Sequence, residues 1–89
     1  MSKVKYMTEL SMSDGEIKDL IRYFEKENHV DIFWDYEPMN MCILINMKRG
    51  NTWANNVRIP YKEVTTEKLC ETLNGLYEMI IEKRKAVNE

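Results

Sequence analysis

The hydrophobic residues of this chain recur first with the period of a helix and then with the period of a strand. The first apolar stripe has the helical spacing i, i+3, i+4 and i+7 and consists of Ile17, Leu20, Ile21 and Phe24. Ser13 and Glu16 have the spacing of a capping box, in which each side chain accepts a backbone N–H of the other residue. The sequence therefore predicts a helix over residues 13–28, with Asn28 as its left-handed end.

Three strand-like runs follow at about residues 30–37, 41–48 and 52–61, where apolar and polar residues alternate. In the first two runs the apolar set is predicted to face the core and consists of Val30, Ile32, Trp34, Tyr36, Met41, Ile43, Ile45 and Met47. Pro38 favours a turn between these two runs. Pairing Tyr36 with Met41 across that turn keeps both apolar sets on one face, which gives the expected register.

The third run is compatible with two registers. Gly50-Asn51 is a two-residue hairpin signal, and a type II′ turn there would place Trp53 beside Lys48 on the face away from the core. Simple alternation instead turns Trp53 toward the core and requires a three-residue loop. A β-bulge at Asn55-Asn56 would reconcile the hairpin turn with a core position for Val57. Both registers therefore stay open.

A second, longer helix is predicted over residues 66–86, opened by Thr65 or Thr66. Its main apolar stripe consists of Leu69, Leu73, Leu76 and Ile80. Asn74-Gly75 interrupts this pattern and marks where the helix could kink. Residues 1–12 alternate only weakly, and we expect them to add an edge strand or to lie across the outer face of the sheet.

This order of elements predicts an α+β fold. The expected arrangement is α-β-β-β-α, a three-stranded antiparallel meander with two helices packed on one of its faces. The 89 residues are enough for one such domain, over residues 1–89.

Charge and cysteine content narrow the expected partners and compartment. The formal net charge is −2, so no overall field attracts the chain to nucleic acid or to an anionic membrane. The run Lys83-Arg84-Lys85 falls in the last turns of the second helix, where cations complement the helix dipole. The two cysteines form no CxxC motif, and neither a signal peptide nor a long apolar run is evident. These features predict a cytoplasmic protein that does not associate with membranes.

Candidate catalytic and metal-binding groups are sparse. The single histidine, His29, falls at a helix-to-strand junction, where a capping or surface role is expected. Asp31, Asp35 and Glu37 share one strand face, but they extend along about 20 Å of strand at about 3.3 Å per residue and cannot converge on one ion. An exposed strand face also lacks the second wall of a carboxylate active site. We therefore predict no enzymatic activity, no bound metal and no cofactor.

The element order over residues 13–86 resembles that of the double-stranded RNA-binding domain. The resemblance implies RNA contacts from the first helix, from the loop between the first two strands and from a lysine cluster opening the last helix. Here that loop is Glu37-Pro38-Met39-Asn40, without the Gly-Pro-x-His of the family. The last helix opens with Glu63 and Glu67 before Lys68, where the family has successive lysines. Because carboxylates there would repel phosphates, RNA binding by that mode is not predicted.

The outer face of the predicted sheet is the first candidate binding surface. Its apolar centre is expected to contain Phe33, Cys42 and Leu44, with acidic residues of the first strand on one side and Lys48 and Arg58 on the other. An apolar centre with a charged rim is typical of protein interfaces. The predicted partner is a protein, whose contacting surface would be basic. The predicted partner-binding residues are Asp31, Phe33, Asp35, Glu37 and Leu44.

The second hairpin offers an alternative, nucleic-acid-binding site. Basic and aromatic residues alternate there, as on ribbons that contact phosphates and stack on bases. This alternative site consists of Lys48, Arg49, Trp53, Asn55, Asn56 and Arg58. The favoured interpretation is a small non-enzymatic module that binds a protein, of the kind common among phage and bacterial accessory or inhibitor proteins. The oligomeric state is left open by the sequence.

Overall fold

A computed structural model describes residues 11–88 of the chain, with side chains described for residues 11–86. The main elements are α1 (Asp14–Asn28), β1 (Asp31–Glu37), β2 (Cys42–Arg49), β3 (Thr52–Pro60) and α2 (Thr66–Asn88). Short 3-10 helices at Pro38–Asn40 and Tyr61–Glu63 connect β1 to β2 and β3 to α2. The strands pair antiparallel in the order β1-β2-β3. The predicted α-β-β-β-α order and meander sheet are confirmed.

Helix α1 begins with the predicted capping box and ends at Asn28, as predicted, but its left-handed cap lies one residue later than predicted. The Ser13 Oγ accepts a hydrogen bond from the Glu16 N–H at 3.2 Å, and Glu16 Oε1 accepts one from the Ser13 N–H at 2.8 Å. The left-handed residue is His29, at φ 53°, and not Asn28. Asn28 stays helical because its side-chain amide donates to the Phe24 carbonyl at 3.1 Å. His29 therefore serves as the end of a helix.

The register between β1 and β2 differs from the prediction by two residues. Tyr36 lies opposite Ile43, and the predicted pairing of Tyr36 with Met41 is wrong. Met41 adopts a left-handed conformation at φ 52°, and its N–H donates to the Pro38 carbonyl at 3.2 Å, so it belongs to the connection. Because a shift of two residues preserves the side-chain alternation, every residue of β1 keeps its predicted face.

The hairpin between β2 and β3 uses the two-residue turn and the bulge. Gly50 adopts φ 61° in the turn, and Lys48 pairs with Trp53. The register then shifts, since two residues of β3, Asn55 and Asn56, lie opposite the single residue Asn46. Of the two open registers, the structure thus has the one that places Trp53 on the outer face.

One hydrophobic core fills the space between the inner face of the sheet and the two helices. Both predicted helical stripes contribute to it, and α2 continues past Gly75 as one helix. Thr65 opens α2, since its Oγ1 accepts a hydrogen bond from the Lys68 N–H at 3.0 Å. The fully or nearly fully buried residues of the inner face and helices include Ile17, Ile21, Ile32, Ile43, Ile45, Met47, Ile59, Leu69, Leu73, Leu76 and Ile80.

Two contacts attach neighbouring segments to this core. The Tyr36 hydroxyl donates to Asp14 Oδ1 at 2.5 Å, which joins the start of α1 to β1. Met12 is buried in the core, and the Ser11 hydroxyl donates to the Val64 carbonyl at 2.9 Å. The expectation that residues 1–12 add an edge strand or cover the outer face lies, for residues 1–10, outside the described residues.

Candidate functional site

The outer face of the sheet carries the predicted binding residues on alternate positions of each strand. Phe33 and Trp53 are large hydrophobic residues that stay 49% and 39% exposed there. Leu44 is half-buried and lies diagonally from Phe33, because Phe33 pairs with Asn46 and Asp35 pairs with Leu44. We use "outer face" for this surface, whose described members are Asp31, Phe33, Asp35, Glu37, Cys42, Leu44, Asn46, Lys48, Trp53 and Arg58.

An aromatic pair dominates one half of the outer face. The rings of Phe33 and Trp53 stack with centroids 5.6 Å apart and an interplanar angle of 29°, so the pair spans β2 from β1 to β3. Lys48 Nζ lies 5.4 Å from the centroid of the Trp53 ring, at the distance of a cation–π contact. A shallow depression of about 250 Å³ adjoins the pair and is lined by Phe33, Trp34, Asp35, Leu44 and Asn46.

The other half of the outer face is occupied by an ion pair. Arg58 Nε lies 2.9 Å from Glu37 Oε1, which joins β3 to β1 across β2. The Cys42 thiol donates to the same oxygen at 3.4 Å. The pKa of Glu37 is lowered mainly by the hydrogen bond from Arg58 and also by the one from Cys42. The pKa of Cys42 is raised mainly by burial and also by its hydrogen bond to Glu37. Cys42 is therefore a buried thiol and does not extend the exposed apolar centre.

This pairing changes the charge pattern predicted for the outer face. Glu37 is compensated by Arg58, so the uncompensated acidic groups of β1 are Asp31 and Asp35. Asp35 lines the depression, and its Oδ1 accepts the Tyr36 N–H at 2.8 Å. Asp31 is exposed opposite Lys48. The negative charge that a partner would meet is thus on the β1 side, next to Phe33.

The structure separates the residues predicted as an alternative nucleic-acid site. Lys48 and Trp53 lie together on the outer face, whereas Arg58 lies toward the far end of β3 in its ion pair with Glu37. Arg49 is half-buried, and its guanidinium donates to the Tyr77 hydroxyl at 3.3 Å. The N–H of Asn56, a residue at φ 64°, donates to Asn46 Oδ1 at 2.8 Å. Asn55 is exposed beside the turn. These residues therefore do not form one continuous surface.

Side chains satisfy backbone groups at both sheet edges. On β1, the Ile32 N–H donates to Glu25 Oε2 at 2.8 Å, and the Tyr36 N–H donates to Asp35 at the same distance. On β3, the Trp53 carbonyl accepts from Lys83 Nζ at 2.6 Å. Because an added strand needs free edge groups, these bonds reduce the number of groups available for pairing with another chain at both edges.

One group of functional candidates was missed by the sequence analysis. The end of α2 lies against the β2–β3 turn, where Arg84 Nη1 donates to the Arg49 carbonyl at 3.2 Å. The order of elements could have predicted this contact, because α2 must run back along β3 toward the turn. A helix of 23 residues at about 1.5 Å per residue is also long enough to reach it. Lys83 and Arg84 therefore join Lys48 and Arg49 at one end of the molecule.

Metal-ligand groups, membrane spans and similarity to known proteins indicate no further site in the described residues. Among residues 11–88, no three His, Cys, Asp or Glu side chains form a group that could hold a metal ion. Neither α1 nor the described part of α2 combines the length and apolarity that a membrane span requires. No family model, curated protein or solved structure matches this chain.

Proposed function

We propose that this chain is a non-enzymatic interaction module that binds a protein partner through its outer face. The observation that carries the proposal is the stacked pair of Phe33 and Trp53, which keeps two large aromatic rings partly exposed on an open sheet face. Aromatic residues are enriched at interface centres because they bury a large area at a small entropic cost. Leu44 and the adjoining depression extend this apolar centre.

The charges around the aromatic pair define the kind of partner. Asp35 lies at the depression and Asp31 lies at the same edge, without an ion pair within 4 Å in the described part of the chain. A basic side chain of the partner would meet these carboxylates next to an apolar contact. Such complementarity raises the association rate and selects against acidic surfaces. The proposed partner surface is therefore apolar with basic residues on one side.

The contact is proposed to use the face of the sheet and not its edges. Glu25, Asp35 and Lys83 already satisfy edge groups of β1 and β3. The proposed setting is the cytoplasm, where the protein would act as an accessory or inhibitor protein of the phage or bacterial type. The free thiols of Cys42 and Cys70 are compatible with a reducing compartment.

The test is affinity capture with variants that change exposed or half-buried surface residues. Phe33→Ser with Leu44→Ser removes the apolar centre, while Tyr23→Ser with Met79→Ser removes two exposed hydrophobic residues of the helices as a matched control. We expect one stoichiometric protein to be captured by the wild type and by the control, and to be lost with the outer-face variant. Equal capture by both variants, or recovery that depends only on nuclease-sensitive nucleic acid, would contradict the proposal.

A further inference from the structure

Five cationic residues from two distant segments meet at one end of the molecule. Two of them directly precede the β2–β3 turn, and three follow one another near the end of α2, more than 30 positions later in the chain. Of these three, Lys83 and Arg84 bond to the strands, and Lys85 is the exposed residue that follows them on the helix. We call this surface the basic end; it consists of Lys48, Arg49, Lys83, Arg84 and Lys85. It shares Lys48 with the outer face and adjoins Trp53, and the inference drawn from it does not depend on the protein-binding function proposed above.

Backbone carbonyls and a hydroxyl accept hydrogen bonds from three of these cations, and none of the three has a carboxylate within 4 Å in the described part of the chain. Arg84 donates to the Arg49 carbonyl, Lys83 donates to the Trp53 carbonyl, and Arg49 donates to the Tyr77 hydroxyl. These acceptors are neutral, so they do not compensate the positive charges. In the described part of the chain the single carboxylate within 4 Å of these cations belongs to Glu82, an exposed residue 3.9 Å from Lys85. The surface thus concentrates positive charge although the chain is acidic overall.

A depression whose lining includes polar side chains adjoins this surface. It measures about 520 Å³ and is lined by Asn51, Thr52, Trp53, Asn55, Lys83 and Ala86. The amide and hydroxyl side chains supply hydrogen-bond donors and acceptors that can pair with base edges. The Trp53 ring stacks on Phe33 but stays 39% exposed, and this exposed part supplies an aromatic surface for a base. The depression therefore combines the three kinds of group that bind a nucleotide unit, namely a cation, hydrogen-bonding side chains and an aromatic ring.

We propose that the basic end binds single-stranded nucleic acid, with the phosphates on Lys48, Lys83 and Lys85 and an unpaired base at Trp53. A duplex fits less well, because major-groove recognition by a two-stranded ribbon requires the ribbon to enter the groove. Here the side chains of Lys83 and Arg84 already bond to β3 and β2 and block one side of that ribbon. A flexible single strand can instead follow the surface and present its bases to the exposed ring.

The test measures binding of labelled oligothymidylate and oligouridylate by fluorescence anisotropy at several salt concentrations. Non-specific nucleic-acid affinities predict a dissociation constant between about 1 and 100 µM. Since each single-strand phosphate contact contributes about 0.7 to the salt slope, three contacts predict a slope of about −2. At about 0.1 M salt, each lost contact lowers affinity about fivefold, so Lys83→Glu with Lys85→Glu should lower it about 25-fold.

A control variant separates a local site from net charge. Lys62→Glu with Lys68→Glu makes the same change in net charge at exposed positions on the opposite end of β3 and α2. We expect this control to bind nearly as tightly as the wild type. Equal weakening by both double variants would overturn the proposal, because binding would then follow net charge alone.

A fluorescence readout tests the base contact. The chain has two tryptophans, so Trp34→Phe leaves Trp53 as the single emitter. We expect oligothymidylate to quench Trp53 emission over the same concentration range as the anisotropy change. Absence of binding at low salt, equal affinity for a duplex, or equal competition by poly-glutamate would each overturn the proposal; the last result would assign the basic end to acidic proteins. Phe33 and Leu44 remain unchanged throughout, so protein binding by the outer face is tested separately.

Discussion

The two faces of one three-stranded sheet differ sharply, although their residues alternate along the same strands. Inner-face residues such as Ile43, Ile45 and Met47 are completely buried under the helices. Outer-face residues include Phe33, which is about half exposed, and the ion pair between Glu37 and Arg58. The aliphatic inner face accounts for the stability of the fold, since burial of apolar area drives folding. The stacked aromatic pair outside stays partly exposed, and it forms the centre of the proposed binding surface.

The largest expected effect tests the inner face. Leu73 of α2 is fully buried, and Leu73→Ala should lower the free energy of unfolding by about 2–4 kcal/mol because it leaves a cavity. Met79 lies on the same helix and is 46% exposed, so Met79→Ala is the matched control and should cost far less. Urea unfolding monitored by circular dichroism measures both variants. A loss below about 0.5 kcal/mol for Leu73→Ala would mean that this side of α2 does not form the core.

The second prediction tests the bulge that separates the two faces in β3. Asn56 has a positive φ, which a β-branched residue adopts at a cost of about 1–2 kcal/mol. Asn56→Val should therefore destabilise the protein by about that amount, whereas Asn56→Gly should be tolerated because glycine adopts this conformation readily. Urea unfolding curves of these two variants measure the difference in their free energies of unfolding. Equal stability of the two variants would imply that Trp53 follows a different register.

The third prediction concerns the contact between Tyr36 and Asp14. The hydrogen bond from Tyr36, and then the interactions of Lys18, lower the pKa of Asp14 below its ordinary value of 3.8. A lowered carboxyl pKa stabilises the folded state above pH 3.8, and this stabilisation is lost as the pH falls through the lower pKa of the folded state. Tyr36→Phe should cost about 1 kcal/mol at neutral pH.

The pH dependence distinguishes this hydrogen bond from simple packing. The difference between the wild type and Tyr36→Phe should shrink when unfolding is repeated at decreasing pH below 3.8. Tyr23→Phe, at an exposed position of α1, serves as the control. A loss that stays constant at all pH values would assign the effect of Tyr36 to its ring.

The smallest expected stability effect compares two glycines, one on an open surface of α2 and one in the β2–β3 turn. Gly75 is exposed on α2, and a Cβ added there meets no atom within 4 Å. Gly75→Ala should stabilise the protein by about 0.5–1 kcal/mol. Gly50→Ala is the opposing control, because Gly50 has φ +61° and a new Cβ would lie 3.3 Å from Arg84 Nη1. A rise in melting temperature for Gly75→Ala together with a fall for Gly50→Ala would support an open helix surface at Gly75 and a left-handed turn position at Gly50. No rise for Gly75→Ala would contradict the open surface at Gly75.

Much of the fold could be predicted because alternation has a period of two. That period identified which residues of β1 and β2 lie on each face, and a register error of two residues does not change these faces. The error itself was not visible in the sequence, since Met41 gives no signal for the left-handed conformation that it adopts. The position of Trp53 was also undecided, because it depends on a bulge stabilised by the side chain of Asn46.

The candidate site was predictable only in part. Phe33 and Leu44 were identified because they alternate with core residues of the same strands. The ion pair of Glu37 with Arg58 was not, since it requires the registers of three strands at once. The approach of Lys83 to the turn depends on the path of α2 along β3, which local patterns do not describe.

The most direct test of the outer face as a binding surface is calorimetric titration of the captured partner with Phe33→Ser and with Tyr23→Ser. Central aromatic residues of interfaces contribute about 2 kcal/mol or more, so Phe33→Ser should weaken binding by at least about 30-fold. Tyr23→Ser, which changes a residue 63% exposed on α1, should bind like the wild type. An affinity of Phe33→Ser equal to that of the wild type would contradict the account.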